Sequence, residues 1–297
     1  MGHKYKILFF CIFISLQSWA ADPINEPLRI GTYTYGDNSR VENLRPLAEL
    51  LEAKFKKQVE VISYPDINAL LAAIRQGKVD ISFISTMGNL LLHEGTEPHP
   101  MKVGLTLAVP ENAANAYRTA FVVPRKSKIK SLKDVRRLQG IRLALVNPES
   151  TSGHLIPRSV LAERGIRSPE SYFGTVLYAG SHRAALDYVS DGRADLAAFG
   201  SSAYTEYIEN TGKNSKIRLI HMSAPIPLGP VLFHTSLEKD FQDALTQLMI
   251  ALHLEHPEIF LKITEGWIEA KGAEKFIGIA PDYYDTHLRF RSRRGKY

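Results

Sequence analysis

Between Asn147 and Arg158 the chain reads NPESTSGHLIPR, with Ser150, Thr151, Ser152, Gly153 and His154 in a row after the apolar run IRLALV. Three hydroxyls, a glycine and an imidazole where a strand hands over to a helix admit three kinds of chemistry. One hydroxyl could simply cap the helix, a bond worth about 1 kcal/mol. The group together could seat an anion. First-turn N–H groups lack partners, aligned peptide dipoles make that end positive, and Gly153 adds no bulk. Ser150, Thr151 and Ser152 would add hydroxyl donors, and His154 a ring N–H that carries a charge when protonated. A serine nucleophile is the third reading. It needs an oriented base, and no G-x-S-x-G elbow is present. His182 could approach from another loop, but no spacing singles out such a pair. Loop composition leaves cap and anion seat equally open. No lysine lies in the loop, so an anion there would be held mainly by dipoles and hydrogen bonds.

The elements that would position this loop repeat along the chain. LRIGTYTY and IRLALVNP each read as a short strand followed by a polar turn, and each precedes an amphipathic helix. In the first helix Leu44, Leu47, Leu50, Leu51 and Phe55 stand at helical spacing; the second, SGHLIPRSVLAERG, stops at a glycine. A strand and helix follow in each unit (VEVISYP with DINALLAAIRQG, GTVLYAG with SHRAALDYVSDG). A third strand closes each, GKVDISFIST and GRADLAAFGSS. Two βαβαβ units with parallel strands predict an α/β protein of two lobes, each a mostly parallel sheet flanked by helices. Ligands of such sheets bind beyond the carboxyl ends of the strands. That rule selects six polar loops: TYTYGDNSR with Tyr35, SYPD with Tyr64, ISTMGN with Ser85 and Thr86, NPESTSGH, AGSHR with Ser181 and His182, and FGSSAY with Ser201 and Ser202.

Two extended apolar stretches, MKVGLTLAVPENAANAYRTAFVVPRKSK and KIRLIHMSAPIPLGPVLFHTS, read as crossings between lobes. Helices LEKDFQDALTQLMIALHL and HPEIFLKITEGW then return to the first lobe. The division expected is residues 21–110 plus 228–297 for lobe one and 111–227 for lobe two. Residues 1–20 read as an export signal: a basic start, an apolar core too short to span a bilayer, and small residues before a cleavage point after Ala20. Removing Lys4 and Lys6 with it lowers the formal charge from +6 to +4. The only cysteine, Cys11, lies in that segment, so the mature chain has no disulfide framework and relies on burial. The basic tail LRFRSRRGKY reads as a solvated end, and no nucleic-acid partner is expected.

Other residues carry plainer readings. Tyr33 and Tyr35 alternate in a strand, and only Tyr35 is retained as a candidate contact. Asp66 reads as the cap of INALLAAI. Asp80 and Asp195, each after G-K/R-x, read as a structural turn repeated in both lobes. His253 and His256 lie three apart with no third ligand, so no metal is expected, nor any cofactor. Trp267 and DYYD read as packing of the last helices.

STSGHLIPR, with YFGTVLYAGSHRAAL and DGRADLAA, resembles the PhnD-like family of periplasmic binding proteins, which serve ABC importers for phosphonate, phosphite or phosphate. LRIGTYTY, RPLAELLEAKF and VEVISYPDINALLAAIRQGKVDISFIS fit the same family, so the resemblance spans most of the mature chain. It implies a type II binding fold that closes on its ligand, works as a monomer and needs no catalysis. It also implies that Ser150, Thr151, Ser152 and His154 hold phosphorus-bound oxygens, with Tyr64 facing them and His182 near the anion. Aminophosphonate binders of the family place a carboxylate after the D-[IL]-A-A strand. Ser201 and Ser202 stand there instead, which favours a ligand without an amine. Likewise Ser85 and Thr86 replace an aromatic or glycine-proline turn. Two rivals remain in view. One is a sensing protein that presents its closed form to a membrane-bound receptor kinase or cyclase. The other is a hydrolase using Ser152 and His154.

Overall fold

The computed structural model describes residues 26–94, 98–109, 116–280 and 282–284. The expected export signal, most of the polar kink in the first crossing and the basic tail lie outside the described residues. The first unit runs Leu28–Tyr33 (β1), Val41–Phe55 (α1), Val59–Tyr64 (β2), Ile67–Arg75 (α2), Ile81–Phe83 (β3), Thr86–Glu94 (α3) and Met101–Ala108 (β4). The second runs Thr119–Pro124 (β5), Leu132–Val135 (α4), Arg142–Leu145 (β6), Ile156–Glu163 (α5), Pro169–Tyr172 (α6), Thr175–Tyr178 (β7), His182–Ser190 (α7), Leu196–Gly200 (β8), Ser201–Thr211 (α8) and Ile217–Met222 (β9). Pro230–His234 (β10), Lys239–Glu255 (α9), Pro257–Glu265 (α10) and Lys275–Gly278 (β11) complete the fold.

Two sheets result, ordered β11-β4-β10-β3-β1-β2 and β7-β6-β8-β5-β9. In the first, β1 pairs in parallel with β2 and β3; in the second, β6 pairs in parallel with β7 and β8. An antiparallel strand flanks the third parallel strand of each sheet, β10 beside β3 and β5 beside β8. Each flanking strand arrives from the other sheet, so the chain crosses twice, from β4 to β5 and from β9 to β10. The fold is therefore the two-lobed α/β architecture expected from the repeat, but its sheets are mixed rather than mostly parallel, because the strands after the third parallel one, β10 with β4 and β11, and β5 with β9, pair antiparallel.

Apolar periodicity explains which faces are covered. Leu44, Leu47 and Leu51 of α1 pack with Leu245, Leu252 and Ile263 of α9 and α10 over Leu28 and Ile30 of β1. Ile67, Leu70 and Ile74 of α2 pack with Tyr33, which points to the other side of the same strand. In the second sheet, Val160 and Leu161 of α5 cover Leu143 and Leu145 on one side, while Ala185 and Leu186 of α7 cover Ala144 on the other. The polar stretches ISTMGN and FGSSAY are short junctions, each of which leads straight into a helix. The Ser85 hydroxyl accepts the Gly88 N–H at 3.1 Å, and Met87, Leu90 and Leu92 bury the side of α3 that follows.

The repeated aspartates form one device built twice. Asp80 receives the backbone N–H and the guanidinium of Arg29 at 2.8–2.9 Å, and Arg29 Nη2 also reaches the Gly77 carbonyl. Asp195, Arg142 and Gly192 repeat every bond at 2.9–3.0 Å. Gly77 and Gly192 both turn through positive φ, +66° and +74°, where a side chain would be strained. Each clamp ties the start of the first parallel strand to the loop entering the third, as expected of a structural turn. The Asp195 carboxyl is held below its ordinary range chiefly by its bond to Arg142. Its contribution is full above about pH 4 and is lost as the pH falls through its lowered value. Replacing Asp80, whose side chain is 14% exposed, by asparagine should lower stability by about 1–3 kcal/mol in urea unfolding. Asp195→Asn, at 39% exposure, should lose less and should flatten the decline of stability below pH 4.

Candidate functional site

The carboxyl ends of the parallel strands of both sheets open onto one cleft of ≈ 390 Å³. From lobe one, Thr34, Tyr35, Gly36 and Arg40 follow β1, Asp66, Ile67 and Asn68 follow β2, and Ser85 follows β3. From lobe two, Asn147, Glu149, Ser150 and Thr151 follow β6, and Gly180 and His182 follow β7. Tyr117 joins from the first crossing, and Glu269 from a 3-10 turn, Ile268–Ala270, after α10. Five of the six loops selected by the strand-end rule contribute.

Five helices begin at this cleft: α1 after Arg40, α2 after Asp66, α3 after Ser85, α7 after Ser181, and the turn leading to α5 after Ser150. Each start carries a partial positive charge of roughly half a unit, so the cleft is a potential well for an anion before any side chain is considered. The helix expected from STSGH begins with a π turn, Thr151–Leu155, in which Leu155 N–H bonds Ser150 O at 3.1 Å. Such a turn leaves its leading N–H groups without intrahelical acceptors. The Ser150 hydroxyl takes the Gly153 N–H at 3.0 Å, so the simple cap is real, but it uses one hydroxyl and leaves that hydroxyl's own proton to donate.

Thr151 does more than line the cleft. Its Oγ1 accepts the buried Met87 N–H of α3 at 2.9 Å, joining the two lobes, and Met87, Leu90 and Leu155 pack beside it. Since Thr151 accepts there, its O–H proton is still available to another acceptor. His182 is also committed in a defined way. Its Nδ1 accepts the Gly200 N–H at 3.0 Å, which fixes the proton on Nε2. Burial pushes its pKa down to about 4, so near neutrality the ring is an uncharged donor. Tyr35 stands 6.0 Å from the His182 ring, centroid to centroid. Its hydroxyl is buried with no hydrogen-bond partner among the described residues, as is Asn147 Oδ1. Burial is the main cause that keeps the Tyr35 phenol protonated.

Tyr35, Ser85, Ser150, Thr151 and His182 therefore come together, and seven other candidates do not. Ser152 is fully buried; its hydroxyl accepts from Tyr117 at 2.7 Å and its carbonyl from Thr119 at 2.7 Å. Gly153 is small for packing rather than for anion access, since a Cβ there would lie 2.2 Å from Val146 Cγ2. His154 is not in the cleft lining; it lies 5.8 Å from the Tyr178 ring and near Glu170, which is ion-paired with Arg158. Tyr64 packs against the α2 face of the first sheet. Thr86 donates to Pro227 O at 2.7 Å, and Ser181 caps α7 by accepting from Ala184 N–H. Ser201 accepts from Arg118 N–H and, with Ser202, borders a separate groove of ≈ 140 Å³.

Sequence reasoning passed over Arg40, Tyr117, Asn147 and Glu269. Arg40 and Asn147 stood inside polar stretches already selected, and their types could have flagged them; Tyr117 and Glu269 arrive from segments remote in sequence. The carboxylate absent after β8 is supplied elsewhere: Asp66, Glu149 and Glu269 all line the cleft. The missing acid after β8 therefore does not disfavour an amine-bearing ligand. Asp66 is also the α2 cap that was expected, its Oδ1 accepting Ala69 N–H at 2.8 Å.

The family model for the periplasmic substrate-binding protein of phosphonate ABC transporters matches residues 30–284. The chain belongs to that family. Among curated relatives, the Probable ABC transporter phosphite binding protein PhnD1 of Prochlorococcus marinus (strain MIT 9301) is 23% identical over 171 residues. That match covers 56% of each protein, so the chain spans little more than half the length of this relative. The solved structure of PhnD1 from Prochlorococcus marinus in complex with methylphosphonate covers 92% of this chain and 100% of its own, at TM-score 0.72 and 17% identity. The binding protein component of an ABC phosphonate transporter from Pseudomonas aeruginosa matches at TM-score 0.68 and 17% identity, over 89% of this chain and 85% of its own. At such identities these structures establish the fold, a periplasmic binding protein of two lobes. No helix among the described residues is long and apolar enough to cross a membrane.

Two expected outcomes follow from this geometry. Thr151→Val removes the hydrogen bond that Met87 N–H makes across the lobes and should destabilise the joined lobes by about 0.5–1.5 kcal/mol, read by urea unfolding, with a larger radius of gyration in solution scattering. The His182 ring should remain neutral and protonated on Nε2 down to about pH 4, as read from imidazole nitrogen shifts. Because its folded pKa lies below the ordinary histidine value of about 6.5, stability should fall as pH drops from about 6.5 toward 4.

Proposed function

We propose that the protein captures a small phosphorus oxyanion (phosphonate, phosphite or phosphate) between its lobes and delivers it to an ABC importer. The observation that carries this reading is the convergence of five helix N-termini from both lobes on one cleft. There they are joined by the free protons of Ser150 and Thr151 and the neutral Nε2–H of His182. Dipoles and uncharged donors suit a tetrahedral oxyanion with several acceptor oxygens, and they hold it without a lysine. The oxyanion seat lies on lobe two, with Ser85 and Tyr35 reaching it from lobe one. Thr151 meets both the ligand and Met87, so occupancy favours the joined lobes over separated ones. Membership of the transport family supports a periplasmic carrier; in this reading residues 1–20 are the export signal, cleaved after Ala20, and the mature protein works as a monomer and turns nothing over.

Calorimetry of the mature, ligand-free protein with methylphosphonate, phosphite, phosphate and sulfate tests this. At least one phosphorus oxyanion should bind with micromolar or better affinity, and Ser150→Ala should weaken it by about tenfold, equivalent to about 1.4 kcal/mol. Folded protein that binds none of the phosphorus anions would overturn the assignment.

A further inference from the structure

The cleft holds more than an oxyanion seat. Its volume of ≈ 390 Å³ is several times what one phosphoryl head fills, since even a water molecule claims only about 30 Å³ of liquid. The lobe-one side is also charged in an unusual way. Arg40 is the only arginine or lysine in the lining, and it is 3% exposed. Its backbone sits at φ +63°, a left-handed conformation uncommon outside glycine. Nε donates to Gly266 O at 2.9 Å and Nη1 to Tyr33 O at 3.0 Å, while the Tyr33 and Trp267 rings lie 4.5 and 4.7 Å from the guanidinium carbon. The side chain is thus held rigidly, with donor capacity to spare on a fork of five N–H groups. Among the described residues no carboxylate comes within 4.0 Å of it.

Glu269 is the matching case of opposite sign. It lines the same cleft, is half-buried, and makes no hydrogen bond or ion pair with any described residue. Both groups act on Tyr35: its ring centroid is 5.7 Å from the Arg40 guanidinium, and its phenol is perturbed by both charges. Buried or half-buried charges are normally paired, because taking a lone ion out of water is costly. Here a cation and an anion share one wall, unpaired with each other, beside a tyrosine hydroxyl without a partner. One ligand group answers both charges, an α-amino acid: its carboxylate pairs with Arg40 as a planar fork, and its ammonium with Glu269.

We infer that Arg40 and Glu269 form a second subsite for the zwitterionic end of an amino-acid phosphonate, whose phosphoryl end occupies the seat at Ser150, Thr151 and His182. This rests on the proposed oxyanion function and adds the identity of the ligand's other end. Titration calorimetry with 2-amino-3-phosphonopropionate, phosphonoacetate, 2-aminoethylphosphonate and methylphosphonate tests it. The amino-acid phosphonate should bind at least tenfold tighter than each of the other three. Glu269→Gln should cut its affinity by a larger factor than that of phosphonoacetate, and Arg40→Lys by a larger factor than that of 2-aminoethylphosphonate. Melting curves identify any variant that has lost its fold. Should Arg40→Lys fail to fold, the wild-type ranking together with Glu269→Gln decides. An amino-acid phosphonate no tighter than methylphosphonate, or a variant that weakens all four ligands equally, overturns the subsite. In those outcomes methylphosphonate still binds, which separates them from failure of the oxyanion seat, where none of the four binds.

Discussion

Three parallel strands in each sheet end at the same edge, and a chain leaving a parallel strand must turn there before its helix begins. That direction is the constraint from which the rest follows. It places helix N-termini, with their unpaired N–H groups and positive dipole ends, at the carboxyl edge of each sheet. Because the chain crosses twice between the sheets, the two edges face each other. Five helix starts then surround one cleft, so the positive ends of their dipoles converge there through backbone geometry alone. Side chains refine this field, with hydroxyls and the neutral His182 ring beside one guanidinium, Arg40, and three carboxylates, Asp66, Glu149 and Glu269.

The same construction explains why the site can be firm without disulfides. The Arg29–Asp80 and Arg142–Asp195 clamps hold the far ends of the strands in identical ways, so each sheet presents its cleft edge from a fixed base. At the cleft itself, Gly153 lets the π turn press onto Val146, Tyr117 locks Ser152, and Gly200 sets the His182 tautomer. Several residues of the STSGH motif are therefore spent on holding its shape. Only Ser150 and Thr151 line the cleft, and Thr151 does so while bonded to the opposite lobe.

Much of this was legible in the residues. The strand and helix repeat, the α2 cap at Asp66, the twin aspartate turns and five of six cleft loops follow from short-range patterns. Those patterns are apolar spacing, capping chemistry and the G-K/R-x-D signature. Misreadings arose where neighbouring residues had to be assigned to different sides of one turn. A π turn carries no composition signal, so His154 could not be separated from Thr151 by sequence alone. Ser201 and Ser202 looked equivalent to Ser85 because both follow a third strand, yet only the lobe-one loop reaches the cleft.

Taken by itself, the sequence determined the two-unit plan, the strand-end loops and the concentration of donors at one of them, because each depends on residues within a helix turn or a hairpin's reach. Tertiary structure decided which donors are free and which charges are left unpaired. Tyr117 and Glu269 enter the cleft from segments that no local pattern links to it. Arg40 is buried by an aromatic pair, Tyr33 and Trp267, that is more than 230 residues apart. A contact across that distance is set by how two sheets and their crossings pack, and burial is what turns such a residue from a mobile surface charge into a fixed one.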